Sequence, residues 1–263
     1  MAAILNAIFE RQVSVRIYGL GAIVLGLTGL AWGDFAVVWQ PDTAPLHSSW
    51  GHAASVPPLL AGLAMQWKRA AYASALVLFA LYMLAEALLD VPRGFAQPSV
   101  FVAWYGVAEH LALAAGAAVI CTFCAPLPPA TAERLAKVAR LAFGVCLIYF
   151  GIAHHVYLAF TAKMVPAWLP PSQIFWSYAT GAAHIAAGIA ILCAINERAA
   201  AMLLTVMFVV FAILVHAPRI IMDSHTHMSW AENAVNFALI GSAWVIAASL
   251  PSRKIQGDGG MLR

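Results

Sequence analysis

Residues 199–217 read Ala199-Ala-Ala-Met-Leu-Leu-Thr-Val-Met-Phe-Val-Val-Phe-Ala-Ile-Leu-Val-His216-Ala217. No Asp, Glu, Lys or Arg interrupts this run, and its length is close to the ~20 apolar residues with which a helix crosses the hydrocarbon core of a bilayer. Similar apolar runs recur along the chain, separated by short polar clusters. Because a backbone in lipid must satisfy its own hydrogen bonds, such runs form helices. The pattern therefore predicts an all-α integral membrane protein with several spans.

The composition supports the same class. Of the 263 residues, 63% are apolar and 10% are charged, and the mean hydropathy is +0.85. A soluble domain usually carries about 25% charged residues. The net charge of +3 is small and no basic stripe is interleaved with aromatic residues, so no nucleic-acid partner is expected. The expected partner is the lipid bilayer. The first twelve residues lack a small-x-small cleavage site, so we expect the first apolar run to remain as a helix.

The apolar runs predict eight spans. They are drawn at 13–33, 53–67, 70–90, 100–123, 136–158, 173–195, 199–217 and 230–249. The second span is the weakest, because it carries Pro57 and Pro58 and is shorter than the ~20 residues of a full crossing.

The basic residues predict the orientation. If both termini lie on one side, that side collects eleven basic residues, which are Arg11, Arg16, Lys68, Arg69, Arg134, Lys137, Arg140, Arg198, Arg253, Lys254 and Arg263. The other side has three, which are Arg93, Lys163 and Arg219. Cytoplasmic loops are enriched in Lys and Arg, so both termini are expected in the cytoplasm, with the protein in a bacterial inner membrane. An odd number of spans would destroy this asymmetry.

The two halves of the chain resemble each other at an offset of 125 to 126 residues. The aligned pairs include Gly19 with Gly144, Gly26 with Gly151, Gly62 with Gly188, Pro92-Arg93 with Pro218-Arg219, and Trp104 with Trp230. This predicts two fused four-helix repeats, at residues 1–130 and 131–263. Four is an even number, so both copies share one orientation, unlike the inverted repeats of many transporters.

The polar residues within the predicted spans are one-sided. All nine histidines are expected at or outside the membrane midplane, on the side opposite the termini. Ionisable groups inside a span cost at least ~2.5–3.5 kcal/mol, so they usually have a partner or a purpose. His184 is the deepest histidine and is the best single candidate. The predicted cofactor-binding residues are His154, His184, His216, Glu232 and Asn236. No catalytic residue is assigned.

A wider set could ligate a metal. The candidates are His154, His155, His184, His216, Glu109, His110, His225 and His227. Adjacent helix positions point about 100° apart, so at most one of His154 and His155 is expected in a site. In Glu109-His110, a carboxylate orienting an imidazole is typical of a metal ligand, but a structural pair is equally compatible. Imidazole and thioether groups around residues 222–228 would suit copper, although a hydrated loop is the alternative.

The second half contains three familiar motifs. They are Gly151-Ile-Ala-His154-His155, then Met164-Val-Pro-Ala-Trp168-Leu-Pro170, then Tyr178-Ala-Thr-Gly181-Ala-Ala-His184, followed by Gly188. Over about 45 residues this resembles the DoxX-like family of four-helix membrane proteins, whose pattern runs G-x-x-H-F, M-V-P-x-W-L-P and Y-x-S-G-x-x-E. Two positions depart from that pattern, because His155 replaces an aromatic residue and His184 stands where the family has Glu. The resemblance implies a four-helix unit and a link to membrane redox systems, since relatives include small subunits of thiosulfate:quinone oxidoreductase.

Three functions remain open from the sequence. The first is a membrane redox protein, or a subunit of a membrane redox complex, whose outward-facing histidine site binds copper, iron or haem, or a quinone. The second is a metal- or proton-coupled permease that uses Glu86, Asp90 and Glu109 within the spans. The third is a non-catalytic assembly subunit of a membrane oxidoreductase.

Overall fold

The computed structural model describes residues 2–34 and 47–251, with side chains for residues 6–34 and 50–251. Within these ranges the regular structure is entirely helical, as predicted. The α-helices are α1 (Ala2–Trp32), α2 (His47–Ala64), α3 (Ala71–Ala85), α4 (Val91–Ala96), α5 (Tyr105–Cys124), α6 (Pro129–Val156), α7 (Leu158–Met164), α8 (Gln173–Leu192), α9 (Glu197–Phe211), α10 (Ala217–Met222) and α11 (His227–Ser249). A 3₁₀ turn, Phe101–Trp104, precedes α5.

Seven helical segments of the described chain are long and apolar enough to cross a membrane. They are Asn6–Trp32, Ala71–Ala96, Phe101–Cys124, Pro129–Val156, Gln173–Leu192, Glu197–Met222 and His227–Ser249. These segments confirm the all-α class and indicate a membrane protein. The segment predicted as the second span forms α2, which is not among the seven: its first half is polar and it contains Pro57 and Pro58.

Two spans run further than the sequence predicted. The third and seventh were expected to end at residues 90 and 217, but their helices continue to 96 and 222. Each passes through one π-helical turn, Glu86–Asp90 or Ala212–His216. A proline follows two residues later, at Pro92 or Pro218. Proline lacks an N–H and clashes with the carbonyl four residues before it, and a wider π turn accommodates this without ending the helix.

Other boundaries also differ from the prediction. The short helix α7 was not predicted, because seven residues after a break at Tyr157 give too little periodicity to recognise. His227 was placed in a loop, but it is the first residue of α11.

The two central helices are α5 and α11. Helix α11 packs on α1, α9 and α5, while α5 packs on α3, α6 and α11. Small residues make these approaches close: a Cβ on Gly116 would meet Tyr18 and Ser242, and one on Gly241 would meet the backbone of Tyr18. The Tyr18 hydroxyl donates to the Leu113 carbonyl at 2.7 Å, which ties α1 to α5. The remaining helices lie in two groups, α1–α3 and α6–α9, on either side of this centre.

Two helix pairs, α1–α2 and α6–α8, meet through glycines. A Cβ on Gly62 would lie 2.5 Å from the Gly19 carbonyl oxygen, and one on Gly188 would lie 2.6 Å from the Gly144 carbonyl oxygen. Such close backbone approach is typical of small-residue contacts between membrane helices. The second pair brings the end of α6, with its histidines, against the start of α8.

Candidate functional site

A cavity of about 480 Å³ lies among α5, α6, α8, α9 and α11, at the end of the bundle covered by α7. All five residues predicted to bind a cofactor line it, although they come from four different helical segments. They are His154, His184, His216, Glu232 and Asn236. The walls are otherwise mostly apolar and aromatic, with Tyr105, Phe150, Trp176, Phe208 and Phe211 among the lining residues. A volume of about 300–1,000 Å³ with few polar groups is usual for a small-molecule site.

Two imidazoles form the polar centre of one wall. The ring centroids of His154 and His184 lie 5.2 Å apart, with the planes tilted by 34°. The rings of Phe150, Phe208 and Phe211 surround the pair. Their centroids lie 5.5 to 6.3 Å from the centroid of one or both imidazoles. His184 is only 2% exposed. The two imidazoles therefore lie among apolar rings, and few groups are available to hydrogen-bond their ring nitrogens.

Thr180 orients both imidazoles. Its backbone carbonyl lies 2.9 Å from His184 Nδ1, and its hydroxyl lies 3.3 Å from His154 Nδ1. A carbonyl can only accept, so His184 carries its proton on Nδ1. The Thr180 hydroxyl donates to the Trp176 carbonyl at 2.8 Å, so it accepts from His154 Nδ1. In both neutral imidazoles the lone pair is consequently on Nε2, where it can accept a proton or bind a ligand.

Gly181 makes room for the end of α6. A Cβ at this position would lie 2.7 Å from a His155 ring carbon and 2.8 Å from His154 Cβ. The glycine of the third sequence motif is therefore what allows α8 to pass directly under the two adjacent histidines of the first motif.

The side of the cavity formed by α9 and α11 carries the other polar groups. Asn236 donates through Nδ2 to the Phe208 carbonyl at 3.0 Å. His216, in the second π-helix, is buried, and its Nδ1 has no hydrogen-bond partner among the described residues. Glu232 Oε2 lies 3.0 Å from an Arg219 guanidinium nitrogen, an ion-pair distance without the angles of a hydrogen bond. Glu109 of α5 also lines the cavity.

The segment Met164–Pro170 and α7 form a roof over this end of the cavity. Three side-chain contacts hold the roof to α8. Thr161 Oγ1 and Ser177 Oγ are 2.5 Å apart, Gln173 Nε2 donates to the Val165 carbonyl at 2.5 Å, and Trp176 Nε1 donates to the Pro170 carbonyl at 2.8 Å. The second sequence motif is thus part of the cavity wall.

The remaining metal candidates lie away from the imidazole pair. His155 is exposed, its Nδ1 bonds the Gly151 carbonyl at 2.8 Å, and its ring contacts Tyr178. His225 is exposed on the loop before α11. His227 lies 3.6 Å from an Asp34 carboxylate oxygen. Among residues 6–34 and 50–251, no three His, Cys, Asp or Glu side chains form a group that could hold a metal ion.

His110 has a different carboxylate partner from the one the sequence suggested. Its Nδ1 lies 2.5 Å from Asp90 Oδ2, on the first π-helix, whereas its neighbour Glu109 points to the cavity. Asp90 and Glu86 are both buried within the helix bundle. Asp90 lies one full π turn beyond Glu86, and this turn was not visible in the sequence.

Sequence reasoning missed three features of the site: Thr180, the roof and the phenylalanine enclosure. A signal for the first was present, because Thr180 occupies the Ser position of the third motif, four residues before His184. The phenylalanines at 208 and 211 lie within a run of apolar residues, and nothing local distinguishes them from lipid-facing neighbours.

The fold indicates a helical membrane protein, and the cavity gives it a buried, histidine-lined space. Residues 141–247 match a family model described as a domain of unknown function (DUF8561). The match runs from α6 into α11 and therefore covers every wall of the cavity except that of α5. No curated protein and no solved structure matches the chain.

Proposed function

We propose that the protein is an integral membrane redox protein, or the ligand-binding subunit of a membrane redox complex, and that it binds a quinone in the cavity. The observation that carries the proposal is the imidazole pair, held by Thr180 and enclosed by aromatic rings in a cavity of about 480 Å³. Aromatic walls suit a flat ring, and a few fixed polar groups suit the oxygens at its two ends.

The chemistry follows from the tautomers. Oxidation of a quinol to a quinone releases two electrons and two protons. The Nε2 lone pairs of His154 and His184 can accept hydrogen bonds from a quinol hydroxyl and then take its proton as the quinol is oxidised. The two electrons would pass to a redox acceptor on a partner subunit. The protein contributes binding, orientation and proton acceptance, while the quinone itself carries the redox change.

Copper or iron, including haem iron, is the alternative cofactor for the same pair. Two imidazoles on neighbouring helices, each with Nε2 unprotonated, provide two donors of the type these metals accept. The first experiment is therefore to purify the protein in mild detergent and to record its visible spectrum and metal content. A Soret band, or stoichiometric copper or iron, would make the histidines ligands and would overturn the quinone assignment.

For a colourless, metal-free protein, quinone binding is the test. A short-chain benzoquinone should raise the melting temperature of the protein, since a ligand that binds only the folded state stabilises it. This rise should disappear in His184→Phe and in His154→Phe, which keep an aromatic ring but lose Nε2. The matched control is His155→Phe, which changes the adjacent exposed histidine and should keep the full rise.

An equal thermal shift in His184→Phe and the unmutated protein would show that the ligand binds elsewhere. No shift in the unmutated protein would overturn the proposal and favour the assembly subunit. The melting temperature of each variant without ligand reports whether the substitution has simply damaged the fold.

We further propose that the chain is a fused duplication of a four-helix unit, with α2 as an eighth span and both termini in the cytoplasm of a bacterial inner membrane. Equivalent contacts support the duplication: Gly62 meets Gly19 as Gly188 meets Gly144, and the two π-helices lie 126 residues apart. The packing of α2 along α1 supports α2 as a membrane-crossing helix. The one-sided distribution of Lys and Arg requires an even number of spans. The basic residues of the C-terminal tail lie outside the described residues.

The relationship to the DoxX-like family remains a proposal. What supports it is that the motifs that carry the resemblance border one cavity, since His154, Met164, Pro166, Thr180 and His184 all line it. The substitution of Glu by His at position 184 would adapt the family's four-helix unit to a site with two imidazoles.

A second candidate function is a proton- or metal-coupled permease, which one observation favours. Asp90 and His110 form a buried pair inside the predicted spans, next to Glu86, whose Oε2 has no hydrogen-bond partner among the described residues. Ionisable residues at this depth often mark ion paths. Proteoliposomes would distinguish the functions: a permease would carry protons or metal ions in a manner abolished by Asp90→Asn, and a quinone-binding protein would not.

A further inference from the structure

The exposure of the cavity-lining residues is uneven around the cavity. On the inner side, Phe208, Asn236 and Phe150 are only 3%, 5% and 3% exposed. On the side between α8 and α9, Val210 is 41% exposed and Ala183 is also exposed, yet both line the cavity. Phe160 of the roof also lines the cavity and is 39% exposed, but α7 is not among the segments that are long and apolar enough to cross a membrane, whereas α8 and α9 both lie in such segments. Exposed lining residues between two such helices indicate an opening toward lipid.

The opening has a definite position. We define the α8–α9 opening by Ala179, Ala183, Val210 and Leu214, all of which line the cavity and none of which is buried. Helices α8 and α9 are joined by the short turn Cys193–Asn196, at the end remote from α7. The opening lies further along both helices, where the small Ala179 and Ala183 leave space between them. All four side chains are apolar, and this surface faces lipid in a membrane-spanning bundle.

The roof covers the other route into the cavity. Helix α7 and the segment after it lie across the end of the cavity and are held to α8 by hydrogen bonds from Gln173 and Trp176, together with the Thr161–Ser177 contact. The roof contributes mainly apolar groups to the lining, including Phe160, Met164 and Leu169. Lys163 of α7 is exposed and does not line the cavity. A ligand from water would therefore meet a mainly apolar lining under the roof, whereas an apolar ligand from lipid would meet the α8–α9 opening directly.

We infer that the site takes a membrane-dissolved quinone with a hydrocarbon tail, that the ring enters from the bilayer between α8 and α9, and that the tail lies in the α8–α9 opening while the ring is bound. The inference rests on the proposed quinone-binding function. Lipid solvates the tail as well as the opening does, so the opening gives little affinity by itself. It is the exit that a tailed ligand needs in order to place its ring beside the imidazole pair.

The test fills the opening without touching the imidazole pair. Ala183→Trp and Val210→Trp put a large side chain into it, and both positions are exposed, so the fold should tolerate them. The matched controls are Ala182→Trp and Val209→Trp, which change neighbouring exposed residues that do not line the cavity. The probes are a benzoquinone with a decyl tail and the same ring with a methyl group, titrated into the protein in lipid nanodiscs.

The expected result is a loss of affinity for the decyl quinone of at least about tenfold in both filled variants, with affinity for the methyl quinone unchanged and both controls like the unmutated protein. Unchanged affinity for the decyl quinone in both filled variants would overturn the lateral opening and leave the cavity assignment intact. Failure of the methyl quinone to bind the unmutated protein would overturn the proposed function and, with it, this inference. Melting temperatures measured without ligand confirm that each variant is folded.

Discussion

At the scale of single residues, the site depends on one hydroxyl and one carbonyl of Thr180. These two groups direct His154 and His184, which come from different helices, so that both carry the proton on Nδ1. A histidine on a helix can bond the carbonyl four residues earlier in its own helix, as both His155 and His184 do, so this bond alone does not mark a site. What distinguishes His154 is that its partner belongs to α8 and that its ring faces His184.

Replacing Thr180 with Val should therefore affect ligand binding more than stability. The variant keeps the branched side-chain shape and the backbone carbonyl that accepts from His184 Nδ1, but it removes the hydroxyl that accepts from His154 Nδ1. We expect the affinity for a short-chain quinone to fall about tenfold, since one hydrogen bond is worth roughly 0.5–1.5 kcal/mol, and the free energy of unfolding to change by no more than about 1.5 kcal/mol. Titration and thermal unfolding in detergent measure both quantities. Thr180→Ser, which restores the hydroxyl, should bind normally; weak binding there would show that shape, not the hydroxyl, matters.

At the scale of elements, backbone contact through glycine sets where α6 and α8 cross. Gly188 lies against the Gly144 carbonyl, and Gly181 lies against His154 and His155. These two positions, about two turns apart on α8, align the helices so that His184, between them, meets His154. The roof depends on the same alignment, because Ser177 and Gln173 of α8 hold it in place.

Gly188→Ala should destabilise the protein. In an exposed helix this change would stabilise by up to ~1 kcal/mol, but here the new Cβ would lie 2.6 Å from the Gly144 carbonyl oxygen, and overpacking costs about 1–3 kcal/mol. Thermal unfolding in detergent should show a lower melting temperature. Gly62→Ala should have a similar effect in the first half, and Ala186→Val, at an exposed position of α8, should have almost none. A rise in melting temperature for Gly188→Ala would contradict the close approach.

At the scale of the whole molecule, contacts between the two halves converge at both ends of α11. Near its end, Arg198 donates to the Ala247 and Leu250 carbonyls at 2.8 and 3.0 Å and to both carboxylate oxygens of Glu10 at 2.7 and 2.6 Å. One guanidinium thus joins α1, α9 and α11. At its start, the His227 ring packs 5.7 Å from the ring of Trp32 on α1.

Arg198→Ala should cost more stability than Glu10→Gln. Both side chains are about a quarter exposed, so the ion pair alone is worth ~1 kcal/mol or less after solvent screening. Loss of Arg198 also leaves two carbonyls at the end of α11 without their donor, so we expect a total of about 2 kcal/mol. Arg198→Lys should not restore stability, because an ammonium cannot make this forked contact. If all three variants melted at the temperature of the unmutated protein, the contact would add nothing to the stability of the fold.

The proposed eight-span topology makes a prediction that native cysteines can report. Cys124 ends α5 and is exposed, as is Cys193 after α8. In Cys193→Ala, which leaves Cys124 as the exposed native thiol among the described residues, Cys124 should react with a membrane-impermeant maleimide in inverted vesicles but not in intact spheroplasts. In Ala7→Cys, the new thiol at an exposed position of α1 should likewise react in inverted vesicles and not in intact spheroplasts. If α2 does not cross the membrane, Ala7→Cys and Cys124 lie on opposite sides and label in opposite preparations. Ser224→Cys, on the loop before α11, is the outward control.

Hydropathy and charge are properties of consecutive residues, so the class of the protein and the approximate positions of seven of its helices followed from the sequence alone. The same holds for the choice of His154, His184, His216, Glu232 and Asn236 as a possible group, because these residues lie near those ends of consecutive antiparallel spans that are expected on one side. Two results show the limit of such reasoning. The carboxylate at His110 Nδ1 is Asp90 rather than the neighbouring Glu109, and the second predicted span, α2, is not among the seven segments that are long and apolar enough to cross a membrane.

The tertiary structure decided which of these polar groups share a cavity, because that depends on contacts between residues far apart in the chain. Glycine crossings place α8 against α6, and this brings Thr180 to His154 across 26 residues of sequence. Two π turns, imposed where a proline removes a backbone donor, set the positions of Asp90 and His216. The sequence predicted that polar residues would gather toward one end of the helices, and only the packing of the helices determined which of them face one another.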